Sequence, residues 1–265
     1  MIVAPALLHR RPLAALALAA LLSVVLTADA AADAPDAAEF DWSGWDAILT
    51  SYGEGPCFDY RGLADDAAAR EAFMTAALAL QDAFTAFEKA RFPVIASMQG
   101  PCVGGGVDMI TACDLRYATK EAWMRIEETN IGMMADVGTL QRLPRLIPEG
   151  VARELAYTGE SLSPERAEAL GLVNAVLEDE AALRAHVDQV AERIASKAPL
   201  TISGIKRSFL YARDHTVGDS LEHAMTLQAS LWSPSDIMEA ITARGEKREG
   251  AFEALKPVKR MGGDG

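Results

Sequence analysis

The chain has 265 residues, 50% of them hydrophobic, so it is long enough to bury a sizeable core. Its formal net charge is −13, from 25 basic and 38 acidic side chains, and no Lys- or Arg-rich run stands out. This balance argues against general binding to nucleic acids or anionic membranes, whose phosphates would repel the protein.

The N-terminal segment, residues 1–44, is atypical of a globular domain. It carries two arginines, then an apolar run over residues 13–26, then small residues, which is the layout of a secretory signal peptide. The run is shorter than the roughly 18 to 20 residues that span a bilayer, which disfavours a permanent transmembrane helix. The alternative interpretation is a buried first helix in an alanine-rich domain.

Residues 45–195 alternate predicted strands and helices, which predicts an α/β domain with a mostly parallel sheet. Residues 47–50 predict a short strand, and residues 65–92 predict an amphipathic helix that begins at two aspartates. The apolar stripe of this helix consists of Phe73, Ala77, Leu80, Phe84 and Phe87. Strands are predicted at PVIASM, residues 93–98, and at LRYAT, residues 115–119, with a helix over residues 107–113 between them.

The rest of the chain is predicted to be helical. Residues 163–172 open with Ser-Pro and a glutamate, as helices often do. Residues 180–199 place Leu183, Val187, Val190 and Ile194 on one helical face. Residues 196–265 then form a predicted helical C-terminal region.

Three consecutive glycines, Gly104, Gly105 and Gly106, lie between a predicted strand and a predicted helix. A helix that begins there offers unpaired amides and a partial positive charge, and the absence of side chains lets an oxygen approach closely. The motif is neither a P-loop nor GxGxxG, because the spacing fails. A tight turn without a ligand is the alternative interpretation.

Three acids lie in apolar surroundings near this motif. Asp108 is in the first turn of the predicted helix, where it either caps the helix or has its pKa raised by burial. Glu128 and Asp136 follow in an apolar, glycine-containing loop. Two buried acids whose environments separate their pKa values form an acid and base pair, so the three together predict a catalytic site.

Metal and disulfide chemistry is not indicated by the sequence. The three cysteines form no CxxC pair, and the four histidines show no metal-ligand spacing. The cysteines are Cys57, Cys102 and Cys113, and we interpret them as small buried thiols.

The stretches KARFPVIASMQGPCVGGGVDMITACDLRYAT and GMMADVGTLQRLPRLI strongly resemble the crotonase (enoyl-CoA hydratase/isomerase) superfamily. GGGVD, ADVGTLQRLP and LYARDHTVGDSL are most similar to its Δ3,5-Δ2,4-dienoyl-CoA isomerase branch. The resemblance covers residues 45–255. It implies a ββα spiral core with a helical C-terminal trimerisation region, and therefore a homotrimer or homohexamer.

The resemblance also implies roles for individual residues in binding an acyl-CoA. Gly105 would give one amide of an oxyanion hole for the thioester oxygen. Gly62, which matches the first-strand motif of the family when the two are aligned without gaps, would give the other. Tyr60 and Arg61 depart from the family pattern of small residues here. Arg61 is a candidate contact for a CoA phosphate, with a solvated surface arginine as the alternative.

The acids implied as the proton-shuttling pair are Glu128 and Asp136, on opposite sides of a dienoyl chain, with Asp108 beside Glu128 as a third acid. The expected reaction shifts the double bonds of a 3,5-dienoyl-CoA in fatty-acid β-oxidation, with no metal or redox cofactor. Enoyl-CoA hydratase is the near alternative, with Asp108 and Glu128 as its acids, since a typical hydratase has a small residue at the place of Asp136. A non-catalytic crotonase-like protein is the remaining alternative.

The expected location is the cytoplasm, because acyl-CoA substrates are intracellular and a chain without residues 1–32 loses part of its core. Export is the alternative if those residues are a cleaved signal peptide.

Overall fold

The computed structural model describes residues 66–256 and, before them, two short strands, Gly53–Glu54 (β1) and Cys57–Phe58 (β2). β1 and β2 pair antiparallel, with Gly53 opposite Phe58. The N-terminal segment, the strand predicted at residues 47–50, Arg61 and Gly62 lie outside the described residues.

The first long helix, α1, spans Ala67–Lys89. Asp66 caps it, because its side chain accepts hydrogen bonds of 3.0 Å from the amides of Ala68 and Ala69. Ala77 and Phe84 of the predicted apolar stripe are buried. The predicted amphipathic helix is therefore confirmed.

Three parallel strands form the main sheet in the order β3-β5-β7: Ile95–Met98 (β3), Leu115–Thr119 (β5) and Ala175–Leu177 (β7). A second, two-stranded parallel sheet pairs Pro101–Val103 (β4) with Trp123–Arg125 (β6). The predicted parallel arrangement is confirmed, and β5 has the predicted bounds. β4, β6 and β7 were not predicted, because three-residue strands leave almost no periodicity in a sequence.

The site helix, α2, spans Gly105–Ala112 and so begins two residues before its predicted start. Its C-terminal end is held by a buried guanidinium. Arg116 donates to the carbonyls of Ile110 at 3.2 Å and Cys113 at 2.6 Å, and to that of Leu172 at 2.6 Å. A cation at the C-terminal end of a helix forms hydrogen bonds with the last carbonyls and interacts favourably with the helix dipole. Arg116 therefore stabilises the helix that carries the glycine motif.

Shorter helices follow in the same part of the chain. Ser163 caps the last of them, as the Ser-Pro signal predicted, by accepting from the amide of Arg166. The shorter helices are a 3₁₀ turn at Glu128–Ile131, α3 at Thr139–Arg142, a 3₁₀ turn at Leu143–Arg145, α4 at Glu149–Thr158 and α5 at Pro164–Ala169.

The chain divides into two compact units, one containing residues 66–90 and 94–184 and the other residues 91–93 and 185–256. The second unit is helical, as predicted for the C-terminal region. Its helices are α6 at Glu180–Ala195, whose first turns belong to the first unit, α7 at Pro199–Ala212, α8 at Val217–Ser230 and α9 at Pro234–Glu246. The three-part division predicted from the sequence stays a prediction.

Candidate active site

The N-terminus of α2 presents free amides. Gly104 precedes it with φ 55° and ψ −118°, a conformation that glycine adopts without strain. The Gly104 amide donates to the carbonyl of Arg125 at 2.9 Å, and its carbonyl accepts from the amide of Val107 at 2.7 Å. Within the part of the chain that the structure describes, neither the Gly105 amide nor the Gly106 amide has a hydrogen-bond acceptor. Both amides are therefore able to bind an oxygen of a ligand.

Glu128 lies directly against this glycine turn. Its Oε1 is 3.0 Å from the position that a Cβ on Gly104 would occupy. Burial raises the pKa of Glu128 from 4.5 to about 7, and the charges of Asp108, Asp136 and Glu127 add to the increase. A carboxyl group with this pKa can both give and take a proton near neutral pH.

Asp108 is almost completely buried, with 1% of its surface exposed. Its Oδ1 accepts a hydrogen bond of 2.6 Å from the amide of Thr139, the first residue of α3. Burial raises the pKa of Asp108, the Thr139 hydrogen bonds oppose this, and the charge of Asp136 adds to it. Because Gly104 is the N-cap, the capping role left open from the sequence is not the one that Asp108 performs.

Asp136 is half-buried in the loop between the 3₁₀ turn and α3. Its backbone carbonyl accepts a hydrogen bond of 2.7 Å from Nε2 of Gln81 on α1. Its charge contributes to the raised pKa values of Asp108 and Glu128. The three acids predicted from the sequence therefore lie close enough to interact, which fits an acid and base pair with a third acid beside it.

A cation faces this acidic cluster. The guanidinium of Arg142 donates to Oε2 of Glu88 at 3.3 Å and to Oγ1 of Thr85 at 3.1 Å. Its positive charge lowers the pKa of Asp108, against the effect of burial. Gly138 leaves room for it, since a Cβ there would lie 1.8 Å from Nη1 of Arg142.

The sequence identified the acids but not three of their neighbours. Gly104 lies against Glu128, Gln81 binds the backbone of Asp136, and Arg142 interacts with Asp108. Gln81 did leave a signal, because it lies four residues after the buried Ala77 and is a polar residue on the buried side of α1. Arg142 left no signal, because an arginine in a short helix is ordinarily solvated.

We expect Glu128→Gln to stabilise the fold at about pH 8 and to change its stability little at about pH 4. The pKa of Glu128 is raised from 4.5 to about 7 in the folded protein. The stability that its neutral form contributes is therefore present below pH 4.5 and lost as the pH rises through about 7. Glutamine does not ionise and avoids that loss. Thermal unfolding of both proteins across this pH range measures the difference, and a constant difference at every pH contradicts the burial of Glu128.

Free amides at a helix N-terminus beside three interacting carboxylates are an arrangement typical of one class of protein, the acid–base enzymes whose substrates build negative charge on an oxygen during reaction. Comparison with known proteins agrees. Residues 45–255 match the enoyl-CoA hydratase/isomerase family, and the chain belongs to that family. The crotonase fold predicted from the sequence is confirmed.

Relatives of known name share this part of the chain. The mitochondrial Delta(3,5)-Delta(2,4)-dienoyl-CoA isomerase of Mus musculus is 40% identical over 170 residues, which are 64% of this chain and 52% of that protein. The peroxisomal Delta(3,5)-Delta(2,4)-dienoyl-CoA isomerase of Arabidopsis thaliana is 40% identical over 176 residues, which are 66% of this chain and 63% of that protein. The chain thus spans about half the length of the mouse relative.

Solved structures with the same fold include enoyl-CoA hydratases. One from Bacillus anthracis superimposes with a TM-score of 0.67 at 26% identity, covering 79% of this chain and 86% of that one. Another from Mycobacterium marinum has a TM-score of 0.58 at 35% identity, covering 62% of this chain and 66% of that one.

Proposed function

We propose that the protein is an isomerase that converts a 3,5-dienoyl-CoA to the conjugated 2,4-dienoyl-CoA in fatty-acid β-oxidation. The observation that carries the proposal is the third acid. Asp136 interacts with both Asp108 and Glu128, so the site holds one carboxylate more than a two-acid hydration needs. The names of the relatives from Mus musculus and Arabidopsis thaliana support the same reaction.

The proposed reaction removes one proton from C2 of the acyl chain and adds one at C6. Loss of the C2 proton, alpha to the thioester, gives a trienolate whose charge is shared between the thioester oxygen and the chain as far as C6. The Gly105 amide would bind that oxygen and stabilise the charge as it develops. Addition of a proton at C6 then leaves double bonds at C2 and C4.

With a pKa of about 7, Glu128 carries a proton in many molecules at neutral pH. We assign to Glu128 the delivery of a proton at C6 and to Asp136 the removal of the proton at C2. After product release, exchange with solvent returns a proton to Glu128 and removes the proton from Asp136. Asp108 accepts a hydrogen bond from the Thr139 amide, and its charge helps to raise the pKa of Glu128.

We expect the protein to convert a 3,5-dienoyl-CoA to a product with the absorbance of a conjugated dienoyl thioester. A panel of 3,5-dienoyl-CoA and 2-enoyl-CoA substrates of several chain lengths tests the proposal. Mass spectrometry of the products separates isomers, which keep the substrate mass, from hydrated products. Hydrated 2-enoyl-CoA without any isomerised diene contradicts the proposal.

Hydration of a 2-enoyl-CoA is the second candidate function. The pair Asp108 and Glu128 supports it, since each has its pKa raised by burial. A relative named (E)-benzylidenesuccinyl-CoA hydratase, from Thauera aromatica, is 36% identical over 60% of this chain. The same substrate panel decides between the two functions.

The reaction as proposed needs no metal or redox cofactor, since coenzyme A enters as part of the substrate. The described residues contain no helix that is long and apolar enough to cross a membrane. The cytoplasmic location stays a prediction; the relatives' names place them in mitochondria and peroxisomes. Arg61 and Gly62 keep their proposed roles as CoA contact and second oxyanion donor.

We further propose a homotrimer or homohexamer. Helices of the second unit, and the connection between α8 and α9, expose large apolar side chains, which a second copy of the chain would cover. Those at least 60% exposed are Phe209, Val217, Leu221, Met225, Trp232, Met238 and Ile241.

A further inference from the structure

A polar stripe runs along the otherwise apolar inner side of α1. Gln81, Thr85 and Glu88 are four and three residues apart, so they lie on one face of the helix. Phe84 and Phe87 on the same helix pack with Met109 of α2 and Val137 of the loop that follows Asp136. Polar groups within an apolar contact need hydrogen-bond partners, and this stripe finds its partners at Asp136 and at Arg142 of α3.

The contacts hold the segment from Asp136 to Arg142 at both ends. Gln81 donates from Nε2 to the backbone carbonyl of Asp136 at 2.7 Å. Six residues further on, Arg142 donates to Thr85 and Glu88. Between these points the Thr139 amide donates to the buried Asp108.

The Gln81 hydrogen bond is made at Asp136 itself, whereas the nearest other side-chain hydrogen bond, of 3.4 Å from Nη1 of Arg142, is made at the carbonyl of Val137. It uses the backbone carbonyl, so it leaves the Asp136 carboxylate available for chemistry. Gln81 is half-buried, and its amide can donate in this way without bringing a charge into the acidic cluster.

We propose that Gln81 is a positioning residue for Asp136: its side-chain amide fixes the backbone from which the reacting carboxylate projects. The proposal rests on the proposed isomerase function. Without the amide the Asp136 carbonyl loses its hydrogen bond and the loop is free to shift. Displacing a reacting group by about 1 Å costs on the order of 10² in rate, and a partial shift costs less.

Gln81→Met keeps the length of the side chain and removes the donor. We expect kcat for the 3,5-dienoyl-CoA to fall about tenfold with KM within about twofold, because contacts to the CoA part of the substrate are unchanged. Asp82→Asn, at the exposed neighbouring position on α1, is the matched control and should keep wild-type kinetics.

A double-mutant cycle separates positioning from general structural support. Asp136→Asn keeps the backbone carbonyl and therefore the Gln81 hydrogen bond, but it removes the carboxylate. If Gln81 acts through that carboxylate, Gln81→Met lowers kcat in the wild type and has no further effect in Asp136→Asn. If Gln81 only stabilises the tertiary structure, Gln81→Met lowers kcat by the same factor in both backgrounds, and the proposal is overturned.

Failure of the proposal is distinguishable from failure of the function. Wild-type turnover in Asp136→Asn alone overturns both. A large loss in Asp136→Asn with additive behaviour of Gln81→Met overturns only the role of Gln81. Circular dichroism and thermal unfolding verify that each variant is folded. Should Gln81→Met not fold, Gln81→Leu, which also lacks a donor and brings no charge into the acidic cluster, is used in the same cycle with the same two outcomes.

Discussion

Glu128→Gln is expected to lower the turnover of a 3,5-dienoyl-CoA by about 10² or more, because general acid–base catalysis by one group contributes on that order. The amide has nearly the shape of the carboxyl group but cannot exchange a proton. The wild-type rate should also fall as the pH rises through about 7, since Glu128 has a pKa of about 7 and loses the proton it delivers. Steady-state kinetics across the pH range measure both effects, and the variant should lack the pH limb near 7.

The control for this variant is Glu121→Gln, which makes the same chemical change at an exposed position before β6. It should keep wild-type turnover and the same pH profile. Unchanged turnover in a folded Glu128→Gln protein is incompatible with Glu128 as a proton carrier.

Gly104→Ala has the second large effect that we expect, a loss of about 10² in kcat/KM. The new Cβ lies 3.0 Å from Oε1 of Glu128, so the carboxyl group must shift by a few tenths of an ångström. The φ of 55° and ψ of −118° at this position also strain any residue other than glycine. Both effects displace Glu128 relative to the free amides of α2.

Backbone strain and the contact with Glu128 are separable by a matched variant. Gly171→Ala places alanine at φ 82° where no heavy atom lies within 4 Å of the new Cβ. It should lower the thermal stability without lowering kcat/KM of the folded protein. Equal losses of kcat/KM in both variants would show that strain, and not the position of Glu128, explains the effect at Gly104.

The longer elements of the fold were predictable because they repeat a pattern. The stripe of α1 and the strand β5 follow from apolar spacing within the element itself. The start of α2 was less predictable. The helix includes Gly105 and Gly106, although glycine has a low helix propensity. The turn at Gly104 and its hydrogen bond to the carbonyl of Arg125 start the helix there.

By itself the sequence determined the family, the glycine motif at a helix N-terminus, and the identity of the three acids, because these are local patterns of residue type and order. Only the tertiary structure decided what each acid contacts. The Asp108 carboxylate binds the Thr139 amide 31 residues later, and the Gln81 amide binds the Asp136 carbonyl 55 residues later. Such contacts depend on how separate elements pack against one another, and no periodicity along the chain encodes them. The same packing raises the pKa of Glu128, since burial and neighbouring charges exist only in the folded protein.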